Sequence, residues 1–189
     1  MNRYSCIVLF TFLLSACAAQ PPATGEAAET IAVAPVLTSE NGMVAAAHPL
    51  AARAGAEMLH NGGNAVDAAI AVSLALGVVE PYASGIGGEG YMVAVMADGR
   101  EVAIDFRSTA PALANYANLD AAGGLGEVRY TPKGHCIAGV PAGISEALKL
   151  ARLPLGVLAA PAIRLAEEGF EVNETFATVN LSLIHISEP

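Results

Sequence analysis

The first folded stretch of the chain, between Gly42 and Gly63, carries apolar residues at the spacing of an amphipathic helix. Those positions are Leu50, Ala54, Met58 and Leu59. Pro49 suits the first helical turn, where its missing N–H costs no hydrogen bond, and Gly62-Gly63 can adopt the left-handed conformation that ends a helix. The pattern predicts one helix that begins near Pro49 and ends before Gly62.

A second, more uniformly apolar helix is predicted from about Ala65 to Val79. Asn64 and Asp67 have the spacing of a capping box, although Asp stands where Glu or Gln is usual. The stretch is too short to span a bilayer and contains Asp67, so we expect a buried helix of the fold. Its small side chains favour close packing against a neighbouring element.

Tyr91–Ala97 and Arg100–Phe106 are predicted to form a β-hairpin around Asp98-Gly99, a pair typical of two-residue type I′ turns. Both strands are apolar almost throughout. This pattern predicts that both faces of the sheet are covered, as in a sandwich of layers.

Shorter elements are predicted beyond the hairpin. Residues 112–134 are expected to form a short helix and a glycine-rich loop, Ile137–Val140 a strand, Ile144–Leu150 the start of a helix, and Pro161–Glu168 a short helix stopped by Gly169. The mixture of helices and strands predicts an α/β (α+β) fold class.

The chain begins with the features of an export signal, assigned to residues 1–17. Asn2-Arg3 gives a basic start, and Ile7–Ala16 is an apolar run too short to remain as a membrane-spanning helix. Leu14–Cys17 resembles a bacterial lipobox, which predicts lipidation of Cys17, anchoring to the outer membrane and a periplasmic location. The alternative is an ordinary cleaved signal peptide with an incidental cysteine. Residues 18–41, rich in Ala, Pro and Thr, are expected to form a flexible tether.

Composition narrows the function classes. The formal net charge is −9, and the nine Lys and Arg residues are spread singly along the chain, which argues against a nucleic-acid surface. Three cysteines are present, but Cys6 would leave with the signal and Cys17 would carry the lipid. Cys136 would then have no intramolecular disulfide partner in the mature chain.

Several residues suggest chemistry that their context disfavours. Gly85, Gly87 and Gly90 fit G-x-G-x-x-G, but this dinucleotide fingerprint needs a strand before it and a helix after it, and the predicted order is the reverse. We expect this glycine-rich turn instead to bring backbone close to another strand or to a ligand.

Cys136 beside His135 is disfavoured as a thiol nucleophile because adjacent residues of a strand face opposite sides. The histidines lack metal-ligand spacing, so capping or solvent-facing roles are expected, with neither a metal nor a cofactor.

Arg107 is the main candidate for binding a ligand. It leaves the second predicted strand just before Ala110-Pro111, and its guanidinium offers a planar fork of donors that matches a carboxylate bidentately. The structural alternative is a rim salt bridge between Arg107 and Asp105 or another neighbour.

A series of short motifs resembles the γ-glutamyltransferase (glutathione hydrolase) family. They occur in the family's order over residues 42 to about 172: Gly42–Ala45, His48–Ala51, Gly62–Ala69, Glu80-Pro81, Ser84–Gly88, Asp105–Arg107, Thr109–Pro111, Gly139–Pro141, Pro161–Ile163 and Gly169-Phe170. Their combination is specific to this family.

The resemblance implies an N-terminal nucleophile hydrolase with an αββα sandwich, made as a precursor that cuts itself into a large and a small subunit. It implies that the new N-terminal threonine of the small subunit attacks a γ-glutamyl amide, and that water or an amine resolves the acyl-enzyme. The arginine of the motif matched by Asp105–Arg107 binds the α-carboxylate in this family, so the resemblance gives that role to Arg107. The implied partners are a γ-glutamyl substrate such as glutathione and the small subunit of the same precursor.

Two departures from the family's pattern lie near Arg107. Ser108 stands where many members have Glu, so a partner that steers the guanidinium would be lost. Glu89 stands where the glycine run often continues, which adds a carboxylate near the anion site.

Complete members of the family are much longer, so the nucleophile is expected outside this chain. None of Thr109, Thr131, Thr175 and Thr178 is assigned that role. Residues 42–180 are interpreted as the N-terminal part of the large subunit and residues 181–189 as an artificial tail, and the chain alone is expected to be inactive. The alternatives are a cephalosporin acylase-like amidase and a non-catalytic periplasmic binding lipoprotein.

Overall fold

The computed structural model describes residues 39–121, 123–128, 131 and 134–184. In chain order the elements are α1 (Pro49–His60), α2 (Ala65–Val79), β1 (Gly90–Val95), β2 (Glu101–Phe106), α3 (Tyr116–Ala121), α4 (Leu125–Val128), α5 (Val140–Ala147), α6 (Leu155–Glu168) and α7 (Glu174–Ile184). The predicted signal peptide, Cys17 and most of the tether lie outside the described residues, as does the end of the predicted tail from residue 185.

Helix α2 is the centre of the described fold. Helices α1, α5 and α6 contact it, and β1 and β2 add apolar side chains to the same core. The fully buried residues of this core include Met58 of α1, Ile70 of α2 and Leu158 of α6. A single layer of helices therefore covers one face of a two-stranded antiparallel sheet. Within the described residues, no helix combines the length and apolar character needed to cross a membrane.

The structure confirms the predicted starts of the first two helices and the predicted end of the first. Helix α1 begins at Pro49, and Gly62 has a φ of 86°, the left-handed conformation expected of the stop. Helix α2 begins with the predicted capping box, in which Asn64 accepts from the N–H groups of Val66 and Asp67 while Asp67 accepts from the N–H of Asn64. Local sequence therefore determines both helix starts.

Asp67 has a second role that the capping pattern did not predict. Its side chain is fully buried, and it accepts hydrogen bonds from the backbone N–H groups of Arg152 and Leu153 at 2.8 to 3.1 Å. Asn64 donates its side-chain amide to the carbonyl of Leu150 at 2.8 Å. The start of α2 is thus tied to the loop that leads into α6, across a long separation in sequence.

The β-hairpin is confirmed, but the predicted type I′ turn is wrong. Met96 and Gly99 are joined by a hydrogen bond, the N–H of Met96 donates to the carbonyl of Arg100, and Gly99 has a φ of 81°. Asp98 does not have the positive φ that a type I′ turn requires. The loop therefore has three residues and ends in a glycine bulge. The Asp98 carboxylate accepts one hydrogen bond from the guanidinium and one from the backbone N–H of Arg100. Both bonds lower the pKa of the Asp98 carboxyl, the guanidinium bond more strongly.

The prediction that both faces of the hairpin are covered is not met within the described residues. Met92, Ala94 and Ile104 pack against the helical core. On the opposite face, Val93 is 80% exposed and Val95 70%. β1 is apolar on both sides, but β2 carries Glu101 and Asp105 on the outer side, and only the inner side of the hairpin is partly buried here.

Three later elements differ from the sequence-based prediction. Ile137 forms only an isolated bridge with Thr109, and the predicted strand over 137–140 gives way to α5, which already begins at Val140. Pro141 lies in the first turn of α5, where a proline is tolerated, so it starts the helix rather than separating it from a strand. Helix α6 begins at Leu155, with Pro161 inside it, because burial of Leu158 and Ala162 against the core outweighs the hydrogen bond lost at the proline. Gly169, with a φ of 80°, ends α6 as predicted.

Candidate functional site

Arg107 follows the last residue of β2 and points a half-exposed side chain into solvent. Its Nη1 lies 2.6 Å from Oε1 of Glu89, and its Cζ lies 5.9 Å from the centre of the Tyr91 ring. The backbone N–H of Arg107 donates to the Asp105 carboxylate at 3.0 Å. The guanidinium therefore pairs with Glu89, and the carboxylate of Asp105 holds the backbone of Arg107.

Glu89 is itself fixed by Ser108. The backbone N–H of Ser108 donates to Oε2 of Glu89 at 2.8 Å, and the Ser108 hydroxyl donates to the same oxygen. The pKa of the Glu89 carboxyl is lowered most by the hydrogen bond from the Ser108 hydroxyl, next by the bond from the Ser108 N–H, and least by the charge of Arg107. Glu89 is thus a carboxylate at neutral pH, with one oxygen on Ser108 and the other on Arg107.

The register of the hairpin brings these side chains together. Gly90 is opposite Phe106, so the next pair of residues in the same register is Glu89 and Arg107. A two-residue turn would have placed Gly90 opposite Arg107. The extra residue in the loop therefore determines which side chain meets the guanidinium.

Phe106, the residue before Arg107, packs against two glycines that have no room for a side chain. A Cβ on Gly143 would lie 2.4 Å from the Phe106 ring, and a Cβ on Gly139 would lie 1.8 Å from the Phe106 carbonyl oxygen. The sequence offered Gly139-Val140-Pro141 only as a family motif. Its physical role is to let the start of α5 lie directly against the end of β2.

The glycine-rich turn before β1 lies against the start of α5. The carbonyl of Gly88 accepts from the N–H groups of Gly139 and Val140 at 3.0 and 3.1 Å. The turn thus approaches other backbone closely, but at the start of a helix and not at another strand as predicted. It follows a helix and precedes a strand, contrary to the dinucleotide order. An open groove of about 600 Å³ runs along this turn, lined by residues that include Ser84, Gly87, Glu89, Tyr91, Phe106 and Val140.

The weaker candidates, which are the histidines and Cys136, cap a helix or lie exposed where the structure describes them here. His48 is buried and caps α1, with its Nδ1 accepting from the N–H of Leu50 at 3.2 Å, and His60 is exposed in the last turn of α1. Cys136 is a free, exposed thiol. Within the described part of the chain, no group of three or more His, Cys, Asp and Glu side chains could hold a metal ion. His185 lies outside the described residues.

The arrangement around Arg107 can bind an anion. One guanidinium nitrogen is engaged by Glu89, while the side chain is 55% exposed, so further N–H donors can face a carboxylate that enters from solvent. The site combines a cation, a fixed neighbouring carboxylate and a groove lined by glycines.

The chain matches the family model described as gamma-glutamyltranspeptidase over residues 51–184. The chain belongs to the γ-glutamyltranspeptidase family. It is 45% identical over 143 residues to a glutathione hydrolase proenzyme from Pseudomonas sp. strain A14, an alignment that covers 72% of this chain and 24% of that relative. The chain thus spans about a quarter of the length of the curated relatives it matches.

Solved structures of a γ-glutamyltranspeptidase and of a cephalosporin acylase have the same fold over most of this chain. The γ-glutamyltranspeptidase of Helicobacter pylori matches with a TM-score of 0.70 and 36% identity, covering 77% of this chain and 43% of that one. The cephalosporin acylase of Bacillus halodurans matches with a TM-score of 0.72 and 38% identity, covering 77% of this chain and 27% of that one. These matches confirm the predicted fold of the N-terminal nucleophile hydrolase type, of which the described residues contain one helical layer and a two-stranded part of the sheet.

Proposed function

We propose that this chain is the N-terminal part of the large subunit of a self-processing precursor that hydrolyses or transfers γ-glutamyl groups, with glutathione and other γ-glutamyl amides as substrates. The observation that carries the proposal is the contact of Arg107 with Glu89, a residue that lines the glycine-rich groove and holds one guanidinium nitrogen at 2.6 Å. We assign to Arg107 the binding of the substrate's α-carboxylate. Membership of the family and the name of the Pseudomonas relative support this substrate class.

The chemistry assigned to the whole enzyme uses a nucleophile outside this chain. The hydroxyl of the small subunit's N-terminal threonine attacks the γ-glutamyl carbonyl while the threonine's own α-amine takes the hydroxyl proton. The amide C–N bond then breaks, and the amine portion of the substrate leaves with that proton. Water or an acceptor amine then resolves the acyl-enzyme. Arg107 contributes by fixing the α-carboxylate, which holds the scissile amide in place for attack.

The exposed outer face of the hairpin supports the small subunit as a partner. Val93 and Val95 present apolar side chains to solvent, with Tyr91 at 66% exposure on the same face. A layer packed on that face would complete the sandwich that the fold type implies. The chain by itself is accordingly proposed to be inactive.

We also propose export and lipid anchoring of the precursor. Leu14–Cys17 has the sequence of a lipobox behind a short apolar run, and residues 18–41 have the composition of a tether. Lipidation at Cys17 would place the enzyme in the periplasm, attached to the membrane. An ordinary cleaved signal peptide remains the alternative.

A cephalosporin acylase-like amidase is the second candidate, favoured by the TM-score of 0.72 to the Bacillus halodurans enzyme. A non-catalytic periplasmic binding lipoprotein is the third.

Two chromogenic amides separate these candidates when the full-length gene product is assayed. One carries a γ-glutamyl group, and the other carries a glutaryl group, which has the same chain length without the α-amino group. We expect the γ-glutamyl amide to be cleaved with the higher kcat/KM. Preference for the glutaryl amide would favour the acylase, and failure of the processed protein to cleave either amide would contradict both enzyme proposals.

A further inference from the structure

We propose that Glu89, held by Ser108, is a positioning residue that aims Arg107 at the substrate carboxylate. The inference rests on the proposed function of Arg107 and goes beyond it, because it assigns a role to two residues that do not themselves contact the substrate. Glu89 and Ser108 together would replace the steering carboxylate whose absence at position 108 the sequence indicated.

The Glu89 carboxylate is fixed before any ligand arrives. One of its oxygens accepts both the backbone N–H and the hydroxyl of Ser108. The backbone just before it is fixed as well, since the carbonyl of Gly88 accepts from Gly139 and Val140. A carboxylate held by Ser108, on a backbone that is held as well, is a rigid anchor for a long, flexible side chain.

The contact between Glu89 and Arg107 occupies one nitrogen of the guanidinium and leaves other donors for the substrate carboxylate. Glu89 accepts from Nη1 through its remaining oxygen at 2.6 Å, and the Tyr91 ring lies 5.9 Å from Cζ. A guanidinium has five N–H donors in a planar fork, so engagement of one nitrogen leaves other donors for an incoming carboxylate. Because the side chain is already oriented, less conformational freedom is lost when the substrate binds.

A carboxylate supplied from position 108 could serve the same purpose. The Ser108 hydroxyl already touches the Glu89 carboxylate, so the longer side chain of a glutamate at 108 would bring its carboxylate to about the same place. The steering group can therefore come from either side of the hairpin. This equivalence gives the proposal a rescue experiment.

The test uses steady-state kinetics of the full-length enzyme with a γ-glutamyl amide. We expect Glu89→Gln to raise KM about fivefold and to leave kcat within about twofold, because the loss lies in orienting the carboxylate-binding group. Ser108→Ala should act in the same direction with a smaller effect. Glu101→Gln, at the opposite end of the same hairpin, is the matched control and should leave KM unchanged.

Two combined variants separate positioning from a direct or merely structural role. In an Arg107→Ala background, Glu89→Gln should add no further rise in KM, since its effect passes through Arg107. Glu89→Gly combined with Ser108→Glu should restore most of the affinity that Glu89→Gly loses. A full additional effect in the first variant, or no recovery in the second, would overturn the proposal.

The same series distinguishes failure of the inference from failure of the proposed function. If Arg107→Ala leaves KM unchanged, the proposed role of Arg107 fails. If Arg107→Ala raises KM while Glu89→Gln leaves it unchanged or lowers it, only the positioning role fails. If the full-length protein shows no measurable turnover, NMR relaxation of the Arg107 Nε–H tests the inference instead. Glu89→Gln should increase the mobility of this group, and unchanged mobility would overturn the inference.

Discussion

Arg107→Ala is expected to raise KM for γ-glutamyl substrates roughly 100-fold in the full-length enzyme, with a much smaller change in kcat. Hydrogen bonds between charged groups are each worth about 1.5–3 kcal/mol, and a bidentate fork makes two of them. The half-exposed position of Arg107 places the effect toward the lower end of that range. Steady-state kinetics on a γ-glutamyl amide measure the change directly.

Lysine should restore little of the lost affinity, because a single ammonium cannot reproduce the planar fork. We expect Arg107→Lys to remain within about tenfold of the alanine variant. Arg100→Ala is the matched control: Arg100 is also an exposed arginine paired with a carboxylate, Asp98, but it lies at the other end of the hairpin. A KM that rises equally in the Arg100 and Arg107 variants would contradict a specific role for Arg107.

Asp67→Ala is expected to lower the free energy of unfolding by about 3–5 kcal/mol. The substitution removes the acceptor for the backbone N–H groups of Asn64, Arg152 and Leu153 in a fully buried position. Buried donors left without an acceptor each cost about 1–3 kcal/mol. Urea unfolding followed by far-UV circular dichroism measures the loss.

Two further variants identify the cause of that loss. Asp67→Asn keeps the size of the side chain and one carbonyl acceptor but turns an amide N–H₂ toward backbone donors, so we expect an intermediate destabilisation. Asp120→Ala removes an exposed carboxylate from α3 and should change stability by less than about 0.5 kcal/mol. If Asp67→Ala were as mild as Asp120→Ala, the buried carboxylate would not be the tie between α2 and the loop before α6.

The elements that sequence predicted well are those whose ends are determined locally. Pro49, the capping box at Asn64 and Gly62 act within one helical turn, and each appears in the structure as predicted. The hairpin was also predictable, because its apolar strands flank a turn-forming pair. These signals need no knowledge of the rest of the fold.

The missed features depend on contacts between distant parts of the chain. Gly139 and Gly143 let the first turn of helix α5 lie against Phe106, and nothing near those glycines in sequence indicates an aromatic ring. Pro161 was predicted as a helix start, but burial of Leu158 extends α6 in front of it. Tertiary packing overrode the local preference at Pro161, whereas at α5 it added a contact to a helix start that Pro141 also favours.

The candidate site was predictable in part. Arg107 stood out by its side-chain chemistry and its position at the end of a strand, and Glu89 was recognised as a nearby carboxylate. The ion pair between them depends on a hairpin register that the type I′ prediction would have shifted by one residue. The role of Ser108 in holding Glu89 appears only once that register is known.

We expect this chain to belong to a precursor that processes itself into a γ-glutamyl-transferring enzyme. The most direct test begins with an independent clone of the gene, which is sequenced past the codon for Asn180. The clone is then expressed, and mass spectrometry determines whether the product is cut into two chains. We expect a continuous reading frame and a second chain that begins with threonine. A frame that stops after Pro189, or a full-length product that stays uncut and inactive, would contradict it and favour a binding lipoprotein.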